Sequence, residues 1–213
     1  MSQQDMWAIE QDYFNRGIKI ICGVDEAGRG PLAGPVCAAA VILPPNAEIP
    51  GLNDSKKLTD KRRRELFPII KEQAIAYGIG SASEQEIDEI NILQATFLAM
   101  QRAIDQLDNK ADFALIDGNR MKDFGVAAQT VVRGDSLSAN IAAASVLAKV
   151  TRDDYMLQMA EEYTAQMGKT YMRLDSAIGN GTLEQYYTSR GYVAAGYCKD
   201  GLYEGVLRQK QLR

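Results

Sequence analysis

Ile20-Ile21-Cys22-Gly23-Val24-Asp25-Glu26-Ala27-Gly28-Arg29-Gly30-Pro31 decides how the rest of the chain is read. An apolar run with β-branched residues ends in two adjacent carboxylates, and glycines then let the backbone turn and approach a ligand closely. The pattern describes a strand that delivers charge to a sheet edge. Neighbouring strand residues point to opposite faces, so Asp25 and Glu26 serve one site only if regular pleating stops about where they sit. The same pattern also marks an ordinary acidic turn after a strand, and the companions elsewhere in the chain decide between the two.

With 213 residues, 46% of them hydrophobic, the chain can bury a full core in one domain with a small appendage. A formal net charge of -4 excludes a uniformly basic coat, but Lys56, Lys57, Lys61, Arg62, Arg63 and Arg64 form a local basic cluster that could hold a polyanion. Cys22, Cys37 and Cys198 are odd in number and lack paired metal spacing, which reads as reduced thiols in a cytosolic protein. No basic region followed by an apolar stretch opens the chain, so a cytoplasmic location is expected. The longest apolar run, from Val36 to Leu43, is too short to span a bilayer. Histidine is absent, which removes the Ser-His-Asp triad, the His-Glu-x-x-His zinc site and RNA cleavage by imidazole acid and base. Carboxylates, lysines, hydroxyls or bound metals must carry any chemistry.

Residues 1–17 read as a polar arm with a short helix or a loose structure. Strands are expected over residues 18–24, 36–43, 74–80, 113–116 and 126–132. A helix capped by Thr59 or Asp60 follows the loop Asn53-Asp54-Ser55-Lys56-Lys57-Leu58. Leu93, Phe97, Met100, Ile104 and Leu107 step along one face of a core helix from about Asn91. A long helix from Ser138 to Met159 presents Ala142, Ala143, Ala144 and Ala148 for close packing on a sheet. Beyond Thr164 tyrosines and glycines are scattered without a strong period, leaving a helical or irregular appendage over residues 164–213.

Three segments end alike: Asp25-Glu26 after the first strand, Asp117 after a later one, and Asp135 just ahead of the long helix. Adjacent strand ends and a helix packed on the sheet can bring all four carboxylates together. Like charges at about 4 Å cost about 4 kcal/mol per pair at an effective dielectric of about 20. Either some protons stay on or a divalent metal occupies the site, and oxygen-only ligands favour Mg²⁺ or Mn²⁺ over Zn²⁺. Each residue taken alone has a plainer reading: Asp117-Gly118 as a turn, Asp135 as a helix start, Lys56 as a solvated surface charge, Ser145 and Lys149 as one edge of a helix. Gly28–Gly34 misses the dinucleotide fingerprint by one residue. Gly168-Lys169-Thr170 lacks the earlier glycine of a phosphate loop.

Read together, Asp25 to Pro35, Asn53 to Leu58, Glu86 to Leu93, Ile116-Asp117-Gly118, Gly134-Asp135 and Ile141 to Asp153 closely resemble bacterial ribonuclease HII, collinearly over residues 18–163. The resemblance implies a ribonuclease H-like catalytic domain over residues 18–163, an α/β fold with a mixed five-stranded sheet flanked by helices. It also implies endonucleolytic hydrolysis of RNA in RNA–DNA hybrids and incision 5′ to a ribonucleotide embedded in duplex DNA, by a protein expected to be monomeric. Asp25, Glu26, Asp117 and Asp135 match the family's metal-binding carboxylates. Gly28, Arg29 and Gly30 match the loop at the ribose 2′-hydroxyl, and Lys56, Ser145 and Lys149 fall where the family meets the nucleic-acid backbone. Two divalent ions about 3.5–4 Å apart would then activate a water and stabilise the departing 3′ oxygen, with no need of imidazole.

The C-terminal part departs from the family. Gly179-Asn180-Gly181-Thr182 is the nearest match to the family's Gly-Tyr-Gly-Thr segment, with Asn180 where a tyrosine contacts the ribonucleotide sugar; another tyrosine, such as Tyr171, is a candidate for that role. Two other readings stay open at this point: a nucleic-acid-binding protein on the same scaffold with impaired catalysis, or a different ribonuclease H-like nuclease.

Overall fold

A computed structural model of the chain describes residues 6–31 and 33–212. The first five residues of the expected arm, Leu32 of the glycine-rich turn and the last residue of the expected appendage lie outside the described residues. The chain divides into two compact units, the first ending at Asp153 and the second beginning at Asp154.

The first unit is built on strands β1 (Ile21–Ala27), β2 (Val36–Ile42), β3 (Ala76–Ala82), β4 (Phe113–Asp117) and β5 (Ala127–Val131), in the spatial order β3-β2-β1-β4-β5. β1 and β2 are antiparallel, as are β2 and β3, while β4 runs parallel to both β1 and β5. This is the expected mixed sheet. Every residue of β2 is buried, as an uninterrupted apolar run requires in a sheet covered on both faces. β1 starts three residues later than the strand expected from residue 18, where the Asp112 carboxylate takes the amides of Lys19 and Ile20 at 3.3 and 3.0 Å. It also runs on past Val24 to Ala27.

Alternation along the strands sorts the core between two helical layers. Cys22, Val24, Ala38, Ala40, Ala114 and Ile116 pack with α3 (Glu84–Asp105). On the opposite face, Ala39 and Val41 pack with α2 (Asp60–Gln73) and α4 (Ala139–Gln166). Ile21 and Leu115 join Ile141 of α4 and Tyr13 of α1 (Ala8–Asn15) on that face. Glycines let helix backbones come down onto the strands. A Cβ on Gly23 would lie 2.2 Å from backbone atoms of Asn140 and Ile141, and one on Gly78 2.0 Å from the Ala103 carbonyl oxygen.

Thr59 caps α2, accepting from the Arg62 amide at 3.2 Å. The core helix is longer than its period suggests and is broken at Asn91, whose φ of 67° and ψ of 161° are not helical. A capping box between Ser83 and Glu86 starts the first run, and the Asn91 side chain starts the second by accepting from the amides of Leu93 and Gln94. The periodic residues Leu93, Phe97, Met100 and Ile104 belong to that second run, and Leu107 lies just past its end at Asp105.

The second unit contains β6 (Tyr171–Ala177), α5 (Gly181–Ser189), β7 (Val193–Asp200) and β8 (Tyr203–Gln211), with the strands in an antiparallel sheet ordered β6-β8-β7. A separate sheet thus stands where a helical or irregular appendage was expected. Its period of two is hidden because polar residues take inward positions: Ser176 and Arg208 are buried and joined by a 2.7 Å hydrogen bond, while Tyr171, Tyr203 and Leu207 are exposed. Among the described residues, no helix is long and apolar enough to cross a membrane.

Replacing Gly23 with alanine drives a methyl group into the α4 backbone, where no side chain can move aside. The substitution is expected to destabilise the first unit by about 3 kcal/mol or more, read as a lowered urea midpoint with the slope unchanged.

Candidate active site

Pleating does not stop between Asp25 and Glu26: β1 stays in register with β2 through Glu26↔Ala38 and Ala27↔Cys37. Asp25 pairs with Ala39 and so faces α4, whereas Glu26 pairs with Ala38 on the α3 side. Asp117 follows Leu115 by two residues at the end of β4 and shares the α4 face. Asp135 sits in a 3-10 turn, Gly134–Ser136, just ahead of α4. Asp25, Asp117 and Asp135 each offer a carboxylate oxygen, all within 4.8 Å of one another. Glu26 lies outside that trio but lines the same cleft, and accepts from Arg29 Nη1 at 3.4 Å.

Burial and mutual repulsion dominate the electrostatics. Burial holds the Asp25 carboxyl well above its ordinary value, and the charges of Glu26 and Asp117 push it the same way. The Glu26 amide, donating to Asp25 Oδ1 at 2.7 Å, and Ser145 offset only part of this. Glu26 is raised by burial despite the guanidinium of Arg29. Asp135 is raised by burial and then by Asp117 and Asp54, against the pull of Lys56 at 3.5 Å. Lys56 itself is depressed by burial, but Asp135, Asp25, Asp117 and Asp54 carry its ammonium above the usual value. An oxygen-only donor set that crowds like charges fits a hard divalent cation.

The cleft has a volume of about 520 Å³ and brings the carboxylates beside the Gly28–Pro31 turn, Lys56 and the α4 residues Ser145, Lys149 and Arg152. Gly28 has a φ of +119°, and a Cβ there would lie 2.6 Å from the Pro35 carbonyl oxygen and 2.7 Å from Arg152 Nε. Gly30 is different: a Cβ would meet nothing within 4 Å. Ser145 donates to Ser55 Oγ at 2.6 Å, and Lys149 is held by Asp153 at 2.7 Å.

The basic cluster divides. Lys56 reaches Asp135, and Lys57 donates to Ser136 Oγ at 3.1 Å. The arginines instead build the loop: Arg63 donates to the carbonyls of Ser55 and Leu58, Arg64 pairs with Asp60, and Arg62 binds Glu65 and the Pro50 carbonyl.

Four residues at the site were not singled out from the sequence. Buried Arg152 donates through Nε to the Pro35 carbonyl at 3.0 Å and through Nη2 to that of Ala33 at 2.8 Å, clamping the far end of the glycine-rich turn. Its spacing from Ser145 and Lys149, seven and three residues on along one helix face, was the available signal. Asp54 accepts from the Lys56 amide at 2.8 Å and orients that loop. Ser55 carries the Ser145 contact, and Ile92, just past the break in α3, forms an apolar wall of the cleft. In the second unit, Asn180 is engaged as the N-cap of α5, accepting from the Leu183 amide at 3.1 Å, and Tyr171 is exposed on β6.

The family model described as ribonuclease HII matches residues 22–183. A ribonuclease HII of Endomicrobium trichonymphae is 53% identical over 161 residues, covering 75% of this chain and 76% of its own. That of Syntrophotalea carbinolica is 57% identical over 147 residues, covering 69% and 70%. Among solved structures, the ribonuclease H2 of Pyrococcus horikoshii superposes with a TM-score of 0.60 at 24% identity, over 81% of this chain and 89% of that one. Bst-RNase HIII in complex with Mn²⁺ gives a TM-score of 0.53 at 18% identity, over 70% and 56%.

Because Asp25, Glu26 and Asp135 titrate higher in the fold than free carboxylates do, these three groups hold protons in the metal-free fold that they release in the unfolded chain. Their contribution to stability is present below the ordinary carboxylate values and is lost as pH rises through the raised ones. Asp25→Asn is therefore expected to stabilise the metal-free protein at neutral pH by about 0.5–2 kcal/mol. Thermal unfolding in chelator checks this, and added Mg²⁺ should raise the midpoint of the wild type far more than that of the variant.

Proposed function

The chain belongs to the ribonuclease HII family and is a metal-dependent endoribonuclease of the ribonuclease H type, and on that premise we propose how its cleft works. It cuts the RNA strand of RNA–DNA hybrids and incises duplex DNA on the 5′ side of an embedded ribonucleotide, leaving 5′-phosphate and 3′-hydroxyl ends. The observation that carries this reading is the meeting of Asp25, Asp117 and Asp135 within 4.8 Å beside the Gly28–Pro31 turn.

Asp25, Asp117 and Asp135, with Glu26 at their side, would hold two divalent ions, Mg²⁺ or Mn²⁺. When bound, these supply an activated water and positive charge for the departing 3′ oxygen. The protein's own part is to bind and orient. Gly30 leaves open space where a side chain would stand, so the backbone can approach the ribose, whose 2′-hydroxyl distinguishes RNA from DNA. Arg29 and the backbone of Gly28 meet the adjacent phosphate. Lys56 is 78% exposed beyond its contact with Asp135, free to turn to a phosphate once a cation takes its place. Ser145 and Lys149 continue the contact along the backbone, with the salt dependence that phosphate contacts bring. No imidazole exists to deprotonate the 2′-hydroxyl, which agrees with water as the nucleophile. The protein is read as a cytoplasmic monomer.

Duplex DNA carrying one ribonucleotide, and a long RNA–DNA hybrid, each incubated with Mg²⁺ or Mn²⁺, test the proposal. Cleavage of both, with ligatable 3′-hydroxyl ends and complete loss in Asp25→Asn, is the expected result. Binding without cleavage would reduce the protein to a nucleic-acid binder, and 2′,3′-cyclic phosphate ends would overturn the mechanism. Arg152→Met, which removes the clamp on the glycine-rich turn, is expected to raise KM for the hybrid about tenfold while leaving Mn²⁺ affinity unchanged.

A further inference from the structure

Glu10, on α1, has no exposed surface and takes no part in the cleft. Its Oε1 accepts from Ser138 Oγ at 2.6 Å, from the Asn140 amide at 3.3 Å and from Asn140 Nδ2 at 3.2 Å, while Oε2 has no partner among the described residues. The Met6 carbonyl takes the Ala139 amide at 2.8 Å, and Ser138 Oγ takes that of Ile141 at 3.2 Å. The first N–H groups of α4 are thus satisfied by the N-terminal arm and by the serine that the arm holds.

The chain of contacts continues into the metal-binding group. The Ser138 amide donates to the Gly134 carbonyl at 2.8 Å, and the Gly134 amide donates to Asp117 Oδ1 at 2.6 Å. Asp135 is the next residue. This segment has little slack: a Cβ on Gly134 would lie 2.5 Å from Ile141 Cδ1 and 3.2 Å from Asp117 Oδ1. Arg133, just before it, is held in the left-handed region at φ 59°, a conformation that persists where the surroundings enforce it. A shift of Ser138 is therefore passed on to Gly134 rather than absorbed.

We propose that Glu10 is a positioning residue for the carboxylate site, acting through Ser138 and Gly134 to hold Asp117 and Asp135 where a divalent ion needs them. The proposal rests on the reading of those carboxylates as the metal site. It assigns the N-terminal arm a share in metal binding, although none of the arm's described residues lines the cleft.

The test is Mn²⁺ binding to the metal-free protein, by calorimetry or electron paramagnetic resonance, at a temperature where circular dichroism shows each variant folded. Glu10→Ala and Ser138→Ala each break the chain of contacts and are expected to weaken Mn²⁺ binding about tenfold, as loss of a residue supporting a metal ligand does. Both should lower kcat on a hybrid by a similar factor with little change in KM. Glu10→Gln keeps an oxygen that accepts from Ser138 and is expected to retain Mn²⁺ affinity. If Glu10→Ala does not fold, Ser138→Ala decides alone. A lower melting temperature with unchanged Mn²⁺ affinity in Ser138→Ala, while Asp117→Asn loses binding, overturns the proposal and leaves the metal site standing. A wild type that binds no Mn²⁺ brings down the metal-site reading and the proposal with it.

Discussion

Helix α4 lies on strand β1 with no side chain between their backbones at Gly23, and this contact sets the geometry of everything around it. Two residues along the strand, on the same face, is Asp25. One helical turn beyond Ile141 is Ser145, which donates to Ser55 Oγ and stands beside Asp25 in the cleft. Lys149 and Arg152 follow on that side, and Asp135 stands in the turn that feeds the helix. A larger residue at position 23 would lift the helix and separate groups that work only in contact. The alanines of α4 serve the same end along the rest of the sheet.

The site that results opposes folding in the absence of a cation. Three carboxylates within 4.8 Å are buried or half-buried, and the nearest compensating charge, Lys56, is mostly in solvent. The surrounding structure bears that cost through dense apolar packing on both faces of the sheet, and through groups that fix the carboxylates without neutralising them. The amides of Glu26 and Gly134 are the clearest of these, because a backbone N–H favours an ionised acceptor yet adds no net charge. On the proposed reading a divalent ion enters a site already arranged for it, which is how preorganised charge serves catalysis.

Most of the first unit was legible in the sequence because its signals are local and redundant. Apolar runs ending in Asp25 and Asp117 marked two central strands, and their adjacency follows from the parallel pairing of β1 with β4. What the sequence concealed depends on neighbours that local patterns do not contain. Continued pairing with β2 keeps β1 pleated past Asp25 and sends Glu26 to the other face, a matter of register rather than composition. The arginines of α2 looked like a polyanion surface, but backbone carbonyls hold Arg63, the Asp60 carboxylate holds Arg64, and Glu65 with the Pro50 carbonyl holds Arg62. Arg152 was not singled out, because its partners lie 117 and 119 residues earlier. The second unit hid its strands by placing Ser176 and Arg208 where alternation calls for apolar side chains.

The N-terminal arm has a consequence for how the molecule comes into being. Glu10 meets partners 128 and 130 residues further along the chain, so α1 cannot dock until residues near the end of the first unit are in place. Contacts of such long separation carry a large loop-closure entropy and slow folding. Asp135 and α4 arrive together and late, so a growing chain on the ribosome has no complete set of acidic groups. The cluster of Asp25, Asp117 and Asp135 is thereby a property of the nearly finished first unit and of no shorter N-terminal piece of it.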